Sequence, residues 1–169
     1  MTISSFIHRI LRKSRSGTAA IETAMLLLPF IMVLVGVFEA GSYIGQASIL
    51  QNAVKTAARL ISTGQIHSSD KTLFMSSIAQ NTYGLIDTTK LSVSVNAYPS
   101  FGAVPSTLLP LFDNNGNPIN QTFQTGTGTQ VVVVRVGYWY SFVVPALFTA
   151  SSSGTSTVSS NLVFRNEPF

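Results

Sequence analysis

The 169-residue sequence contains no cysteine, which excludes disulfides, thiolate metal sites and cysteine nucleophiles. An exported domain can do without crosslinks, so the redox compartment stays open. The stability of the folded chain must therefore come from packing.

Charge is also scarce. Charged residues make up 9% of the composition and the mean hydropathy is +0.36, a balance that soluble domains seldom have. We therefore expect a segment that lies in a bilayer. The length suits one modest domain beside one membrane helix, and we do not expect a multidomain enzyme.

The excess of basic charge is confined to the head of the sequence. Arg9, Arg12, Lys13 and Arg15 all precede the first long apolar segment, and residues 18–169 hold as many basic as acidic residues. No basic patch is left for a phosphate backbone, so nucleic acid is not an expected partner. The positive-inside rule predicts a cytoplasmic N-terminus and places residues beyond about 40 outside the cytoplasm.

The residues that enzymes and metal sites use are few. His8 and His67 are the only histidines, and neither accompanies a carboxylate pair or an ordered Ser, His and Asp set. The segment from Asp113 to Asn117 is interpreted as a turn and not a calcium loop, because its glycine is fourth and Gln124 occupies the twelfth position. We therefore predict no catalytic residue, metal or cofactor.

A long apolar segment follows the basic head. Between Thr18 and Phe38 the only charge is Glu22, and as a helix these residues rise about 30 Å, the thickness of the hydrocarbon core. The sequence therefore predicts a transmembrane helix over residues 18–38. Pro29 lies inside it and predicts a kink there.

The helical pattern becomes amphipathic after Phe38. It predicts one helix from about Ala20 to Thr63, stopped by Gly64, in which residues 39–64 extend the membrane span. Small side chains on this extension permit close approach of the chain's own domain or of another helix. The predicted apolar face consists of Ala40, Ile44, Ala47, Gln51, Val54, Ala58 and Ile61.

Residues 65–169 are predicted to form an exported α+β domain. A short helix over residues 70–83 places Leu73, Phe74 and Ile78 on one side. Alternating segments predict three strands of an antiparallel sheet backed by helices, and a segment rich in proline and glycine predicts an exposed, flexible loop. The strands are expected over residues 91–97, 130–143 and 157–165, the second ended by Pro145, and the loop over about 99–128.

Two carboxylates of the predicted helix are candidates for a functional role. Glu22 lies at the head of a lipid-facing helix, where a charge is costly unless it has a partner, although the helix dipole favours it there. If the chain were cut after Gly17, Thr18 would carry an ammonium group four residues from Glu22, and such a terminus on a neighbouring subunit would pair with the carboxylate. Glu39, at the far boundary, is expected to snorkel or to form a salt bridge.

A basic leader, Gly17, a glutamate five residues later and an apolar helix resemble type IV prepilins, which a membrane-embedded aspartyl peptidase cuts after the glycine. Finer details resemble the TadE-like proteins, minor pseudopilins of the tight-adherence (Flp-type) pilus. The similarity is dense over residues 15–62, returns over about 130–168 and is thin between. Its segments are Gly17-Thr-Ala-Ala-Ile-Glu22, Leu-Leu-Leu-Pro29, Gly36-Val-Phe-Glu39-Ala-Gly41, Lys55-Thr-Ala-Ala-Arg59 and Phe164-Arg165-Asn166-Glu167-Pro168.

The resemblance implies a cut between Gly17 and Thr18 by a prepilin peptidase, which removes residues 1–17 as a leader. It also implies retention in the bacterial inner membrane and a role in assembling the adhesive pilus. Glu22 would be the assembly glutamate, and the resemblance allows a second assembly contact at Glu39. The implied partners are membrane lipid, other pilins or pseudopilins and inner-membrane assembly proteins.

Two other functions stay open. An ordinary signal sequence with a small-residue cleavage site at Ala40-Gly41-Ser42 would release a secreted binding protein that starts at Tyr43, or would serve as a simple signal anchor. The long basic head and the helical period that runs through Ser42 argue against it. A membrane-anchored hydrolase would need a catalytic set that the sequence does not display.

Overall fold

The computed structural model describes the backbone of residues 3–148 and 154–168, and side chains from Gly17 onward apart from those of Ala146 and Phe148. The basic side chains of the predicted leader, and His8, lie outside this part. Two compact units are distinguished, Met1–Ala40 and Gly41–Phe169. The amphipathic half of the long helix therefore belongs to the second unit.

The first element, α1, is a helix of 60 residues, Ile3–Ser62, which starts well before the predicted Ala20. The earlier start has a simple cause: residues 3–16 contain neither proline nor glycine, and a single Gly17 costs a helix only about 1 kcal/mol. Helical assignment continues through Pro29. The kink at Pro29 stays a prediction.

The end of α1 has the predicted glycine stop. Gly64 adopts a positive φ of 73°, its N–H donates to the carbonyl of Ile61 at 3.0 Å, and the N–H of Gln65 donates to that of Leu60 at 2.9 Å. This pair of hydrogen bonds is a Schellman motif, in which glycine accepts the left-handed conformation without a steric penalty. The predicted stop is confirmed.

The sheet has four strands, β1 Leu91–Tyr98, β2 Thr122–Phe123, β3 Val131–Ser141 and β4 Thr155–Arg165. Their order in the sheet is β2-β1-β3-β4. Both β1 and β4 pair antiparallel with β3, whereas β2 pairs parallel with β1. The predicted three-stranded antiparallel sheet was therefore wrong, because β2 has only two residues and no alternation to reveal it.

The core lies between the second half of α1, the short helix α2 (Lys71–Asn81) and one face of the sheet. On α1 the buried positions follow the sequence Leu50, Ala53, Val54, Ala57, Ala58 and Ile61. Their small alanines let the helix approach the sheet, which is the intramolecular use of these residues. The facing side chains include Phe74, Ile78, Val93, Val95, Val132, Val134 and Val136.

Three residues that the sequence pattern put on inner faces are exposed. Ile44 is 63% exposed, Leu73 is 55% exposed, and Gln51 also faces outward. In each helix the buried face is narrower than the apolar face predicted from the sequence, and it is centred on neighbouring residues. Leu50 replaces Gln51 in the core, and Phe74 with Ile78 suffices for α2.

The loop over residues 99–128 is exposed along much of its length, as predicted, but it also covers part of the outer face of the sheet. Leu111 and Phe112 are buried, and a Cβ built on Gly137 of β3 would lie 2.7 Å from the Phe112 ring. The outward-facing Ser92 and Ser94 of β1 are consequently buried as well. Both faces of β1 are therefore covered.

The segment after β3 also differs from expectation. The strand ends at Ser141, and Pro145 opens a one-turn helix, α3 (Pro145–Phe148), where its missing N–H is not required. Pro145 therefore does not end the strand itself.

The residues after β4 tie the loop to the end of α1. Asn166 is only 3% exposed, and its carboxamide nitrogen donates to the carbonyls of Thr125 at 2.9 Å and Thr127 at 3.1 Å. The backbone N–H of Glu167 donates to the carbonyl of Ser62 at 2.9 Å. One of the carbonyls that the last turn of α1 leaves open is thereby satisfied.

Replacing Gly116 tests the packing of the loop against the sheet. Gly116 has a φ of 83°, and an added Cβ would lie 2.6 Å from the indole of Trp139. We expect Gly116→Ala to lower the free energy of unfolding by about 1–3 kcal/mol, through overpacking and backbone strain. Thermal unfolding of the detergent-solubilised protein, followed by the fluorescence of the single tryptophan, measures this.

Gly102→Ala is the matched control, because the Cβ added at Gly102 would meet nothing closer than 4.0 Å. Equal midpoints for the two variants would contradict the assigned contact between Gly116 and Trp139.

Candidate functional site

The first half of α1 presents large apolar side chains to its surroundings. They are exposed on every side of the helix, among them Met25 at 73%, Phe30 at 59% and Phe38 at 75%. A helix that is apolar all round is stable in a bilayer or buried in a large core. In the described part of the chain one helix, Gly17–Ser62, has the length and composition of a membrane span, a test that a signal sequence also passes.

The predicted processing residues lie within this helix. Gly17 and Thr18 are exposed, and apart from the adjacent backbone of the helix, none of the described atoms lies within 4 Å of a Cβ built on Gly17. Thr18 precedes Glu22 by four residues, so the two face the same side of α1, about 6 Å apart along its axis. The structure thus brings these two predicted residues onto one face.

Glu22 is exposed and is surrounded by apolar surface. Its neighbour Ile21 is 65% exposed, and Met25, nearly one turn on, is 73% exposed. The hydroxyl of Thr23 is engaged with the carbonyl of Ala19 at 2.8 Å. Within the part of the chain that is described, no side chain pairs with Glu22, so its carboxylate is available to a group outside this chain.

Glu39 differs from Glu22, although both lie on α1. Its side chain is only 5% exposed, and it is the one charged residue that is fully buried within the described ranges. It therefore does not extend into water, as snorkelling would require. Pro29, the predicted kink position, is exposed in the apolar stretch.

The neighbourhood of His67 is a turn and not a catalytic set. The backbone N–H of His67 donates to one oxygen of Asp70 at 2.9 Å, and the hydroxyl of Ser69 donates to the other at 3.0 Å. These hydrogen bonds hold the pKa of Asp70 below its ordinary value. Across the described residues, no three His, Asp or Glu side chains are grouped as metal ligands.

The segment from Asp113 to Asn117 is a closed turn. Asp113 accepts from the side-chain amide of Asn117 and from the backbone N–H groups of Asn115 and Asn117, each at 2.8 Å. Both carboxylate oxygens are thus occupied by the turn itself, and these hydrogen bonds lower the pKa of Asp113. The carboxylate of Asp113 therefore serves to close the turn.

Sequence reasoning did not identify an aromatic cluster at one end of the second unit. The ring of Tyr43 on α1 lies 5.3 Å from that of Tyr140 and 5.7 Å from that of Phe142, and the latter two are 5.0 Å apart. The signal that could have found it is the run of alternating aromatics at the end of β3. The cluster fixes the end of β3 against the start of the amphipathic half of α1.

The lowered pKa of Asp113 predicts a local pH dependence. Because the folded pKa lies below the unfolded value of about 3.8, the turn stabilises the fold above that pH, and this contribution is lost as the pH falls through the folded pKa. Trp139, which packs beside Gly116 of the same turn, should therefore change its emission at acidic pH. Fluorescence recorded from pH 6 to pH 2 measures this.

Asp113→Asn should remove this acid transition. Asp87→Asn is the control, because Asp87 also has a lowered pKa but caps a different turn, at Thr89. The same acid transition in Asp113→Asn as in the unaltered protein would refute the assignment.

Comparison with known proteins gives one match. Residues 17–59 match the model of the family described as TadE-like protein, which confirms the resemblance over the apolar helix and most of its amphipathic extension. No curated protein and no solved structure matches the chain.

Proposed function

We propose that this chain, TadE-like over residues 17–59, is a minor pseudopilin that helps to assemble a tight-adherence pilus. It is anchored in the bacterial inner membrane by residues 18–38, with its N-terminus in the cytoplasm and its second unit outside. The observation that carries the proposal is Glu22, an exposed carboxylate that pairs with none of the described side chains, in the apolar half of the helix that the family model matches.

The role of Glu22 follows from electrostatics. A carboxylate facing lipid costs a few kcal/mol, and an opposite charge from a neighbouring helix removes much of that cost. At an effective dielectric constant of about 20, a pair about 4 Å apart gains about 4 kcal/mol. An axial slip of one helical turn, about 5.4 Å, lengthens the separation to about 6.7 Å and loses about 40% of this. Pairing therefore selects one axial stagger between adjacent helices.

The partner in that pair is the ammonium group of Thr18, created by the cut in a neighbouring subunit. Because Thr18 and Glu22 are one turn apart on the same face, each processed helix offers both charges, and an array of such helices can satisfy every carboxylate. The amine on the same chain is also near, but it emerges at the helix end. The ammonium group of the adjacent subunit therefore sets the axial register between the helices.

The bond after Gly17 must leave the helix before a peptidase can cut it, because an aspartyl peptidase binds an extended backbone. Gly17 lowers the cost of local unwinding by roughly 1 kcal/mol relative to alanine, and it leaves open space where another residue would carry a side chain. Gly17 and Thr18 are therefore the processing residues, and the prepilin peptidase is a separate protein.

Intact-mass analysis and N-terminal sequencing of the membrane-extracted protein test the processing. The mature chain should begin at Thr18, and a host without prepilin peptidase should retain Met1. A chain that keeps Met1 despite an active peptidase would overturn the processing step. A soluble product that starts at Tyr43 would instead support the secreted binding protein.

Glu22→Ala tests the assembly contact. The variant should be expressed and inserted, but its crosslinking to pilin-like partners should fall about tenfold, as expected for a loss on the order of 1.4 kcal/mol. A cysteine introduced by Met25→Cys, exposed nearly one turn from Glu22 in a chain without other cysteines, reports the contact.

Glu167→Ala is the matched control, because it removes an exposed carboxylate while leaving the backbone N–H that binds Ser62. Unchanged crosslinking and unchanged piliation in Glu22→Ala would eliminate the proposed role of Glu22.

A further inference from the structure

The segment that follows β3 is exposed, apolar and free of charge. Val143 is 82% exposed, and Leu147, in the one-turn helix α3, is 45% exposed. No charged residue lies between Arg135 and Arg165. An exposed segment of this composition is poorly suited to water.

The aromatic cluster of Tyr43, Tyr140 and Phe142 fixes where this segment lies within the second unit. Since the rings of Tyr43 and Phe142 stack at 5.7 Å, Val143 begins beside the first turns of the amphipathic half of α1. Tyr43 comes five residues after Phe38, where the apolar span ends. Five residues reach at most about 18 Å, so Tyr43 stays near the membrane boundary whatever the angle between the two units.

Charge is distributed unequally between the two ends of the helix and sheet. The end near Ser62 carries Lys55, Arg59 and Arg165, and Glu167 is bonded there to Ser62. The part of α1 from Ala40 to Val54 has no charged residue. At the end near Tyr43, Asp87 and Lys90 lie just ahead of Leu91, which pairs with Tyr138, whereas α1 and the segment after β3 carry no charge there.

We propose that residues 141–148 form a membrane-contact surface, which rests in the zone between headgroups and acyl chains of the bilayer that α1 crosses. This rests on the proposed membrane span of α1. Val143 and Leu147 insert among the acyl chains, and the half-buried Tyr43 lies at headgroup level, where tyrosine is favoured. The contact holds the second unit at a defined height and orientation on the membrane, so that α1 does not act as a free tether.

The absence of cysteine permits a direct test on the full-length protein in liposomes. Single cysteines are introduced by Val143→Cys, by Leu147→Cys as a second reporter, and by Leu28→Cys in the span, and each carries an environment-sensitive fluorophore. Val163→Cys is the matched control, because Val163 is an exposed valine, 50% exposed, eight residues along β4 from Thr155 toward the charged end. Trp139 emission verifies that each variant is folded.

The expected result is a blue-shifted emission at positions 143 and 147 that is quenched by lipids with a shallow nitroxide label. Position 28 should be quenched by deep labels, and position 163 by neither. If position 28 is quenched while 143 and 147 behave like 163, the membrane-contact surface is refuted and the span stands. An unquenched position 28 overturns the span and the contact with it, and a blue shift at 143 without lipid quenching indicates a protein occupant and refutes the proposal.

Discussion

The packing of α1 against the valine-rich face of β1 and β3 is the interaction on which the second unit depends. Leu50, Val54 and Ile61 are fully buried there, and the alanines between them bring the helix close to the sheet. Without disulfides, this contact together with α2 supplies most of the apolar burial that stabilises the unit. The loop, the tail after β4 and the aromatic cluster are all positioned relative to this helix and sheet.

Long elements with a clear period were predictable from the sequence. The alternation in β1, β3 and β4 and the glycine stop after α1 correspond to single physical causes that act over neighbouring residues. The start of α1 was predicted too late. The end of the basic head was taken as the start of the helix, although the head contains no strong helix breaker. Ile44 and Leu73 were misplaced since a helical pattern tolerates a rotation of one position.

The contacts that were missed are short or depend on distant residues. β2 has two residues and pairs across 28 positions in sequence with β1, as Ser94 does with Thr122. Leu111 and Phe112 lie in a segment rich in turns, where nothing in the sequence indicates burial. They are buried against Gly137 of β3, because the missing side chain of this glycine leaves room for both of them. For the candidate site, spacing alone predicted that Thr18 and Glu22 share a face, whereas the burial of Glu39 required coordinates.

The bond from the N–H of Glu167 to the carbonyl of Ser62 has a consequence for how the second unit folds. It joins residues roughly 100 positions apart in sequence, and β1 pairs with β3 only across the long loop that separates them. The second unit therefore has a high contact order, and a fold of this kind forms more slowly than one built from local contacts.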